Sequence, residues 1–462
     1  SIYRNVFGQA KLDVVATNTD SQNIDGSVNR TVSKLKYEYT DGTEDINDLK
    51  ELSIVNPENY INPETGFAYK VLLKGITAVE GGVSLVDYKG IEHNFAGVGS
   101  LTIGEDLFGN TFWTTNENHF KIENGQQILE RAIVTTKGED FAGNGYITET
   151  NNIYTTIGGQ AKLTRSETTT TNSNLDGSES TTKTILTYTY TDGSETASDL
   201  PEGYLDEYGK IQERWLNEDG DVYIGLLKSV THEEVSLDGH SFQGSLTVGG
   251  DLFGNRFWTA NENRYRIFNG QALLNNSLVT TRGEDFAGNT YVTETENTYI
   301  VVGGQAKLSS SQTTTHSQSV DGSETVIESA IHYIYTDGRE SISDLRKLNI
   351  VNPEIYINGI TGKAYVGLLK DVTINEVRLT DYNGISHRFL GSLSVGKDIF
   401  GSTFWSTNEN HYRISNGQAV LESAVVTTQG EDFAGNKYET VSNNSYEVIG
   451  GQAKLTRTET NT

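Results

Sequence analysis

The sequence predicts an all-β protein made of three tandem repeat units of about 150 residues. Internal repetition and strand-like alternation are the two observations behind this prediction. The string GQAKL begins at four positions separated by 151, 145 and 147 residues, namely Gly8, Gly159, Gly304 and Gly451. Runs of alternating Thr, Val, Ile and aromatic residues favour strands, and no long 3.6-residue period occurs. Periodicity does not reveal strand pairing, so β-sandwich-like and solenoid-like units both stay open.

Each repeat unit contains two related sub-repeats about 34 residues apart, as a comparison of residues 104–129 with 138–163 shows. Both carry an Asp, a Gly three residues later and an aromatic residue three further on. Asp and Asn close turns through their side chains, and Gly supplies a positive φ. The motif therefore predicts turn, strand, turn, strand.

Two further signals complete the predicted elements of each unit. Asp-Gly pairs between alternating runs predict β-hairpins at Asp25, Asp176 and Asp321. Short segments with capping residues predict single helical turns beginning at Asp45, Thr196 and Ser341.

We place the repeat units at 1–158, 159–303 and 304–450. Residues 1–7 resemble the close of a preceding unit, and 451–462 resemble the opening strand of a following one. Repeat arrays normally end in atypical capping repeats. Neither end looks atypical, so we expect the ends to adjoin further copies, in a longer chain or in neighbouring subunits.

Composition excludes several classes of partner. Asp and Glu total 62 against 35 Lys and Arg, which gives a net charge of −27. Nucleic acid and anionic bilayers repel such a surface, so we expect neither as a partner. No apolar run reaches the length of a membrane-spanning helix. The chain has no Cys and no Met, which excludes thiolate chemistry and favours an extracellular or cell-surface location.

The Gly-Glu-Asp-x-x-Gly-Asn loops are candidate metal sites. They group carboxylate and amide oxygens, which Ca²⁺ prefers. In the alternative interpretation Asp and Asn only build the turn and Glu faces solvent, since Gly250 and Lys397 replace Glu in two copies. No cofactor is required, and Ca²⁺ is the ligand that these loops suggest. The candidate ligands are Asp106, Asp140, Asp251, Asp285, Asp398, Asp432, Glu139, Glu284 and Glu431.

Trp113, Trp258 and Trp405 occupy the same place in the three units, directly after a Phe. Adjacent strand residues point to opposite faces. We therefore weigh an outward Trp that stacks on a sugar or a neighbouring unit against a Trp packed under covering structure. His93, His240 and His387 also recur once per unit, and we expect a structural imidazole bonded to nearby backbone rather than a zinc site.

Catalysis is not expected, and no catalytic residue is assigned. No G-x-S-x-G nucleophile elbow flanks a Ser, and the most regular residues occur three or six times, whereas an active site needs one unique constellation. The leading hypothesis is a non-enzymatic extracellular structural protein that forms or extends a fibre, filament, sheath or surface coat. Its units would stack head to tail on further copies or adjoining repeats. The alternative is an adhesin segment that binds surface glycans through repeated exposed aromatics.

Overall fold

The computed structural model describes residues 1–23, 25–348, 350–415, 417–449 and 452–462. Strands hold 63 % of the residues and helices 5 %, which confirms the all-β prediction. The chain divides into two compact bodies, here called the N-terminal half (Ser1–Leu252) and the C-terminal half (Phe253–Thr462). The repeat boundaries proposed from the sequence stay predictions, and Gly451 lies outside the described residues.

The strands of the N-terminal half are mostly long and are joined by short turns. They are β1 Ile2–Val6, β2 Gln9–Gln22, β3 Val28–Tyr39, β4 Leu73–Ala78, β5 Val83–Val86, β6 Glu92–Phe95, β7 Gly99–Glu105, β8 Thr111–Glu123, β9 Gln126–Glu139, β10 Gly145–Ile157, β11 Gln160–Ser173, β12 Glu179–Tyr190, β13 Leu227–His232, β14 Glu234–Leu237, β15 His240–Gln243 and β16 Ser245–Gly250.

The C-terminal half is built from strands of similar length in a similar order. They are β17 Arg256–Phe268, β18 Gln271–Glu284, β19 Thr290–Val302, β20 Gln305–Gln318, β21 Glu324–Tyr335, β22 Ile350–Val351, β23 Leu369–Ile374, β24 Glu376–Thr380, β25 Ser386–Leu390, β26 Ser392–Lys397, β27 Thr403–Ser415, β28 Gln418–Glu431, β29 Lys437–Ile449 and β30 Gln452–Asn461.

The helices are short and sit in the segments between long strands. The capped turns that the sequence predicts are confirmed: at each N-terminus an Asp or polar side chain and the residue three positions on cap each other's backbone. No helix in the described ranges has the length and apolar character needed to cross a membrane. The α-helices are α1 Ile46–Lys50 and α2 Ile342–Leu345, and the 3₁₀ helices are Pro57–Tyr60, Ala197–Asp199, Glu213–Trp215 and Pro353–Tyr356.

Long strands pair antiparallel, mostly with their neighbours in sequence. In the N-terminal half the order is β2, β3, β7, β8, β9, β10, β11, β12 and β16. In the C-terminal half it runs from β17 to β21 and then from β26 to β30. Three small separate hairpins lie in the chain directly before β7, β16 and β26. They are β5–β6, β14–β15 and β24–β25.

Two kinds of connection join the long strands. At one end, two-residue turns such as Asn124-Gly125 have positive φ at both positions, which suits the right-handed twist of a hairpin. Four residue pairs away from such a turn the strand register shifts by one residue. The shift lies beside an aromatic residue, as at Phe120. At the other end, five-residue turns begin with Asp, Asn or Ser, as in residues 140–144. The predicted turn–strand–turn–strand pattern and the Asp-Gly hairpins are thus confirmed.

The hydrophobic core of each half is divided into small clusters. Leu49, Tyr60 and Ile122 belong to one, where residues of the α1 segment pack on β8. Leu101 and Ile103 of β7 belong to another, with Leu85 of the β5–β6 hairpin. Matching clusters centre on Leu345 and Tyr356, and on Val377 and Leu393, in the C-terminal half.

Strands β9, β10 and β11 lie outside these clusters. Within residues 126–173, all of which the structure describes, Ala132 is the one fully buried residue. Cross-strand pairs, rather than a core, must therefore supply most of the side-chain stabilisation in this region.

A column of Thr residues crosses the N-terminal half, one on each of nine successive strands. The strand registers align Thr19, Thr31, Thr102, Thr114, Thr136, Thr148, Thr170, Thr182 and Thr247. Hydroxyl groups bond at every second pair, for example Thr114 with Thr136 at 2.9 Å and Thr148 with Thr170 at 3.0 Å. This alternation follows from antiparallel geometry, because a residue forms a close, non-hydrogen-bonded pair with only one of its two neighbours.

Aromatic rings lie across glycine residues of the neighbouring strand. A Cβ atom added to Gly138 would stand 2.3 Å from the Tyr146 ring, and Gly104 is covered by Phe112 in the same way. Each glycine is the cross-strand partner of its aromatic residue. The ring packs on exposed backbone, which offsets the usual weakness of a glycine within a strand. The same arrangement occurs at Gly283 with Tyr291, Gly396 with Phe404 and Gly430 with Tyr438.

We predict that Gly138→Ala and Tyr146→Ala are energetically coupled. Alanine in place of strand glycine normally gains about 0.5–1 kcal/mol, but here the new methyl group displaces the ring. We expect Gly138→Ala to lose stability in the wild-type background and to gain it beside Tyr146→Ala. A double-mutant cycle from urea unfolding measures the coupling, expected at about 1 kcal/mol. Additive effects of the two substitutions would contradict the packing described.

Candidate functional site

The acidic turns at one end of the long strands are organised by their leading Asp. In residues 140–144, Asp140 Oδ1 accepts the backbone N–H groups of Ala142 and Asn144, both at 2.9 Å. Its Oδ2 accepts the Asn144 side-chain amide at 2.8 Å. Asp106, Asp285 and Asp432 make the same three contacts in their own turns. The carboxylate is thus used to close the turn, as Asx-turn chemistry predicts.

These hydrogen bonds favour the ionised carboxylate. The side-chain amide of Asn144 and then its backbone N–H lower the pKa of Asp140. The Asn289 and Asn436 groups lower the pKa of Asp285 and Asp432 in the same order. Donors that bond the charged form stabilise it. The Asp carboxylates therefore stay ionised, and their oxygens accept hydrogen bonds from N–H groups of their own turn.

The Asn at the fifth position also ties each turn to the next. Asn110 Oδ1 accepts the backbone N–H of Phe141 at 2.8 Å, and Asn144 Oδ1 accepts that of Leu175 at 3.0 Å. In the C-terminal half, the N–H groups of Phe286 and Val320 are held in the same way at 2.8 and 2.9 Å. Neighbouring turns are therefore linked in a series by side-chain amides.

These fixed turns present large apolar side chains to solvent. Leu107, Leu175 and Leu252 each lean on the glycine of the preceding turn. We call these side chains the tip row; in the N-terminal half it comprises Leu107, Phe108, Phe141, Leu175 and Leu252, and in the C-terminal half Phe253, Phe286, Val320, Ile399, Phe400 and Phe433. Their exposed fractions run from 51 % for Ile399 to 77 % for Phe141.

The remaining predicted metal ligands are dispersed around the turns. Glu139 pairs with Lys89 at 3.0 Å, Glu431 lies 3.8 Å from Lys437, and Glu284 is exposed. Asp398 accepts backbone N–H groups of its own turn, and Asp251 follows β16. Within the described ranges, no group of three or more His, Asp or Glu residues is arranged to hold an ion. The arrangement fits the turn-building interpretation, and calcium binding stays a prediction.

The repeated Trp residues lie beside the small core clusters. Trp113 packs against the cluster of Leu85 and Leu101, and Trp405 packs against that of Val377 and Leu393. Trp258 is half-buried, with the Arg282 guanidinium 5.5 Å from its ring centre. Trp113 and Trp405 therefore match the packed alternative better than the outward one.

A His residue covers two of these Trp rings. The rings of His93 and Trp113 lie 5.1 Å apart, and His93 Nε2 bonds Asp87 at 2.8 Å. His387 stacks on Trp405 at 4.7 Å and bonds Asp381 at 2.7 Å. In both cases the imidazole bonds a carboxylate, whereas the sequence predicted a bond to nearby backbone. The Asp sits in the turn of the hairpin, six residues before the His, and so closes that hairpin over the Trp.

The carboxylates with the least exposure form structural ion pairs. Glu44 accepts the Lys74 ammonium at 2.7 Å and also the backbone N–H groups of Asp41 and Gly42. Glu340 is the equivalent residue in the C-terminal half. Burial by itself raises its pKa, but the Lys370 ammonium and backbone N–H donors outweigh this effect and lower the pKa to about 2. A carboxyl held ionised by its own turn is suited to fixing that turn rather than to proton transfer.

The tip row was not predicted from the sequence. Its signal is a large apolar residue at the second position of these turns, followed by Phe, Ala or Asp at the third. Turn positions normally favour polar residues, Gly or Pro. Repeated large apolar residues there indicate selection for something other than turn formation.

We predict that the links between turns are worth measurable stability. Asn144→Ala removes the acceptor for the Leu175 N–H and also the amide that donates to Asp140, so it should lower the free energy of unfolding by about 2 kcal/mol, about 1 kcal/mol for each hydrogen bond. Ser402 stands where other turns have Asn, and Ser402→Asn supplies an acceptor for Phe433. That variant should gain about 1 kcal/mol in urea denaturation. If Ser402→Asn is neutral and Asn144→Ala costs nothing, the turns are not linked as described.

No protein-family model matches this chain, and no curated protein matches it significantly. Function must therefore be inferred from the turns, the cross-strand pairs and the charge of the chain itself.

Proposed function

We propose that this chain is a non-enzymatic structural repeat protein of the cell exterior. It forms or extends a fibre, filament, sheath or surface coat, with units stacked head to tail on further copies or adjoining repeats. The observation that supports this role is the equivalence of successive strand pairs. The same three contacts recur between neighbouring strands. They are a Thr hydroxyl pair, an aromatic ring over glycine and an Asn side chain that links successive turns.

Repetition of this kind adds length at nearly constant local energy. The long strands pair mainly with their neighbours in the sheet, so the stability of an array is close to a sum of similar nearest-neighbour contributions. Strands β9–β11 support this view, because Ala132 is the single buried residue among them. A structural element of this sort does not depend on one large core and can be extended.

Charge and composition support a role outside the cell. A net charge of −27 keeps neighbouring assemblies apart by repulsion, and divalent cations such as Ca²⁺ would reduce that repulsion. The absence of Cys and Met leaves no thiol or thioether to be oxidised. Both features suit a durable surface structure.

The adhesin alternative has less support. The Trp rings considered for glycan stacking, Trp113 and Trp405, pack against core clusters and lie against His93 and His387. The repeated aromatic rings that stay open to a glycan are Phe rings of the tip row, such as Phe141. Glycan binding therefore stays a sequence-based alternative.

Negative-stain electron microscopy of the purified chain, over a range of concentrations and with or without a calcium chelator, tests the proposed function. We expect filaments or sheets with a regular axial repeat. Dissolution by chelator would show that divalent cations bridge the acidic surfaces. Discrete compact particles at every concentration, with and without calcium, would contradict the structural role.

A further inference from the structure

We propose that the tip row is a self-association surface, against which a second copy of this chain docks its own tip row. This inference rests on the proposed function, because it names the surface through which the structural assembly grows sideways. Head-to-tail stacking does not use the tip row, since the row lies along the turn ends of the strands rather than along their edges.

The tip row is both exposed and fixed in place. Phe141 is 77 % exposed and Leu175 is 74 % exposed, yet their backbone N–H groups are bonded to Asn110 and Asn144 of the preceding turns. Leu175 also lies 3.2 Å from the position of a Cβ on Gly143. Apolar side chains that are held rigid in water lose little conformational entropy on binding, which favours their use in an interface.

The exposed area is sufficient for a stable contact. A Phe side chain carries on the order of 150–250 Å² of surface, so the five tips of the N-terminal half leave on the order of 600 Å² of apolar surface in water. That already reaches the upper range for patches on ordinary monomers. Stable interfaces bury about 600–1,000 Å² per partner, so the row of one half alone reaches the lower end of that range.

Periodicity indicates what kind of partner fits. The side chains of the tip row lie in alternate connections between strands. Within each half they therefore recur at about twice the 4.8 Å strand spacing, or about 10 Å. Ridges of that spacing interdigitate with another row of the same spacing. A second copy of the chain supplies one, and the contact is isologous because the same surface is used on both sides.

The charges beside the tips are compatible with this docking. The Asp140 and Asp285 carboxylates accept three hydrogen bonds each from their own turns and so point inward. The net charge of −27 on each copy still opposes approach at a distance. Salt screens this repulsion, so association through the tip row should strengthen as ionic strength rises.

Sedimentation velocity on matched variants tests the proposal. The tip variant combines Phe141→Ser, Leu175→Ser, Phe286→Ser and Phe433→Ser. The control variant combines Val86→Ser, Tyr208→Ser, Ile360→Ser and Ile385→Ser, which are more than half exposed but lie outside the tip row. All eight positions are on the surface, and circular dichroism verifies that both variants fold.

We expect the wild-type chain and the control to self-associate alike, more strongly in 1 M than in 0.1 M NaCl, while the tip variant weakens the association constant at least about tenfold. Because the chain has no Cys, a single Phe141→Cys should also cross-link to its copy with a bismaleimide faster than Tyr208→Cys does.

The possible failures are distinguishable. Filaments and self-association that are unchanged in the tip variant would overturn the tip-row proposal and leave the structural role standing. Monomers under every condition, without filaments, would overturn both. Tip-dependent flotation with phosphatidylcholine vesicles, in the absence of self-association, would show that the tips dock on lipid and would also overturn the proposal.

Discussion

Cross-strand register is the constraint on which the rest of this structure depends. A slip of one residue would turn every side chain of a strand to the opposite face. It would separate Tyr146 from Gly138, break the Thr column and move Asn144 away from the next turn. Each of these contacts is small, and each exists only in one register. Together they make the correct alignment of long, half-exposed strands cooperative.

Register is set at both ends of the strands. The two-residue turns fix one end through positive φ at both positions, and the register shift that follows recurs beside the same aromatic residue. The Asp turns fix the other end through side-chain hydrogen bonds to backbone N–H groups. The same turns hold the side chains of the tip row at a fixed spacing, so the hydrogen bonds that align the strands also fix the surface that we propose for self-association.

Local chemistry allowed much of the fold to be predicted. Asp-Gly and Asp-x-x-Gly-Asn turns, strand alternation and the caps at Asp45 and Ser341 depend on residues a few positions apart. Pairing across longer separations could not be predicted. The contacts of β3 with β7 and of β12 with β16 pass over an insertion, and alternation does not specify a partner.

The candidate sites divide in the same way. The turn role of Asp140 follows from its spacing to Asn144, whereas the Asp87 partner of His93 depends on how a hairpin folds over Trp113. The tip row escaped prediction because apolar residues in turns contradict the usual preference. Only their exposure, together with the links between turns, shows that they form a row within each half.

Hydrogen exchange of strands β9–β11, measured by mass spectrometry on peptides from 126–173, tests the central claim most directly. If register-specific cross-strand pairs stabilise this region, it should resist exchange although Ala132 is its one buried residue. We predict protection as strong as that of β7, which carries the buried Leu101 and Ile103. Exchange at the rate of exposed loops, while β7 stays protected, would contradict this claim and show that stability resides in the core clusters alone.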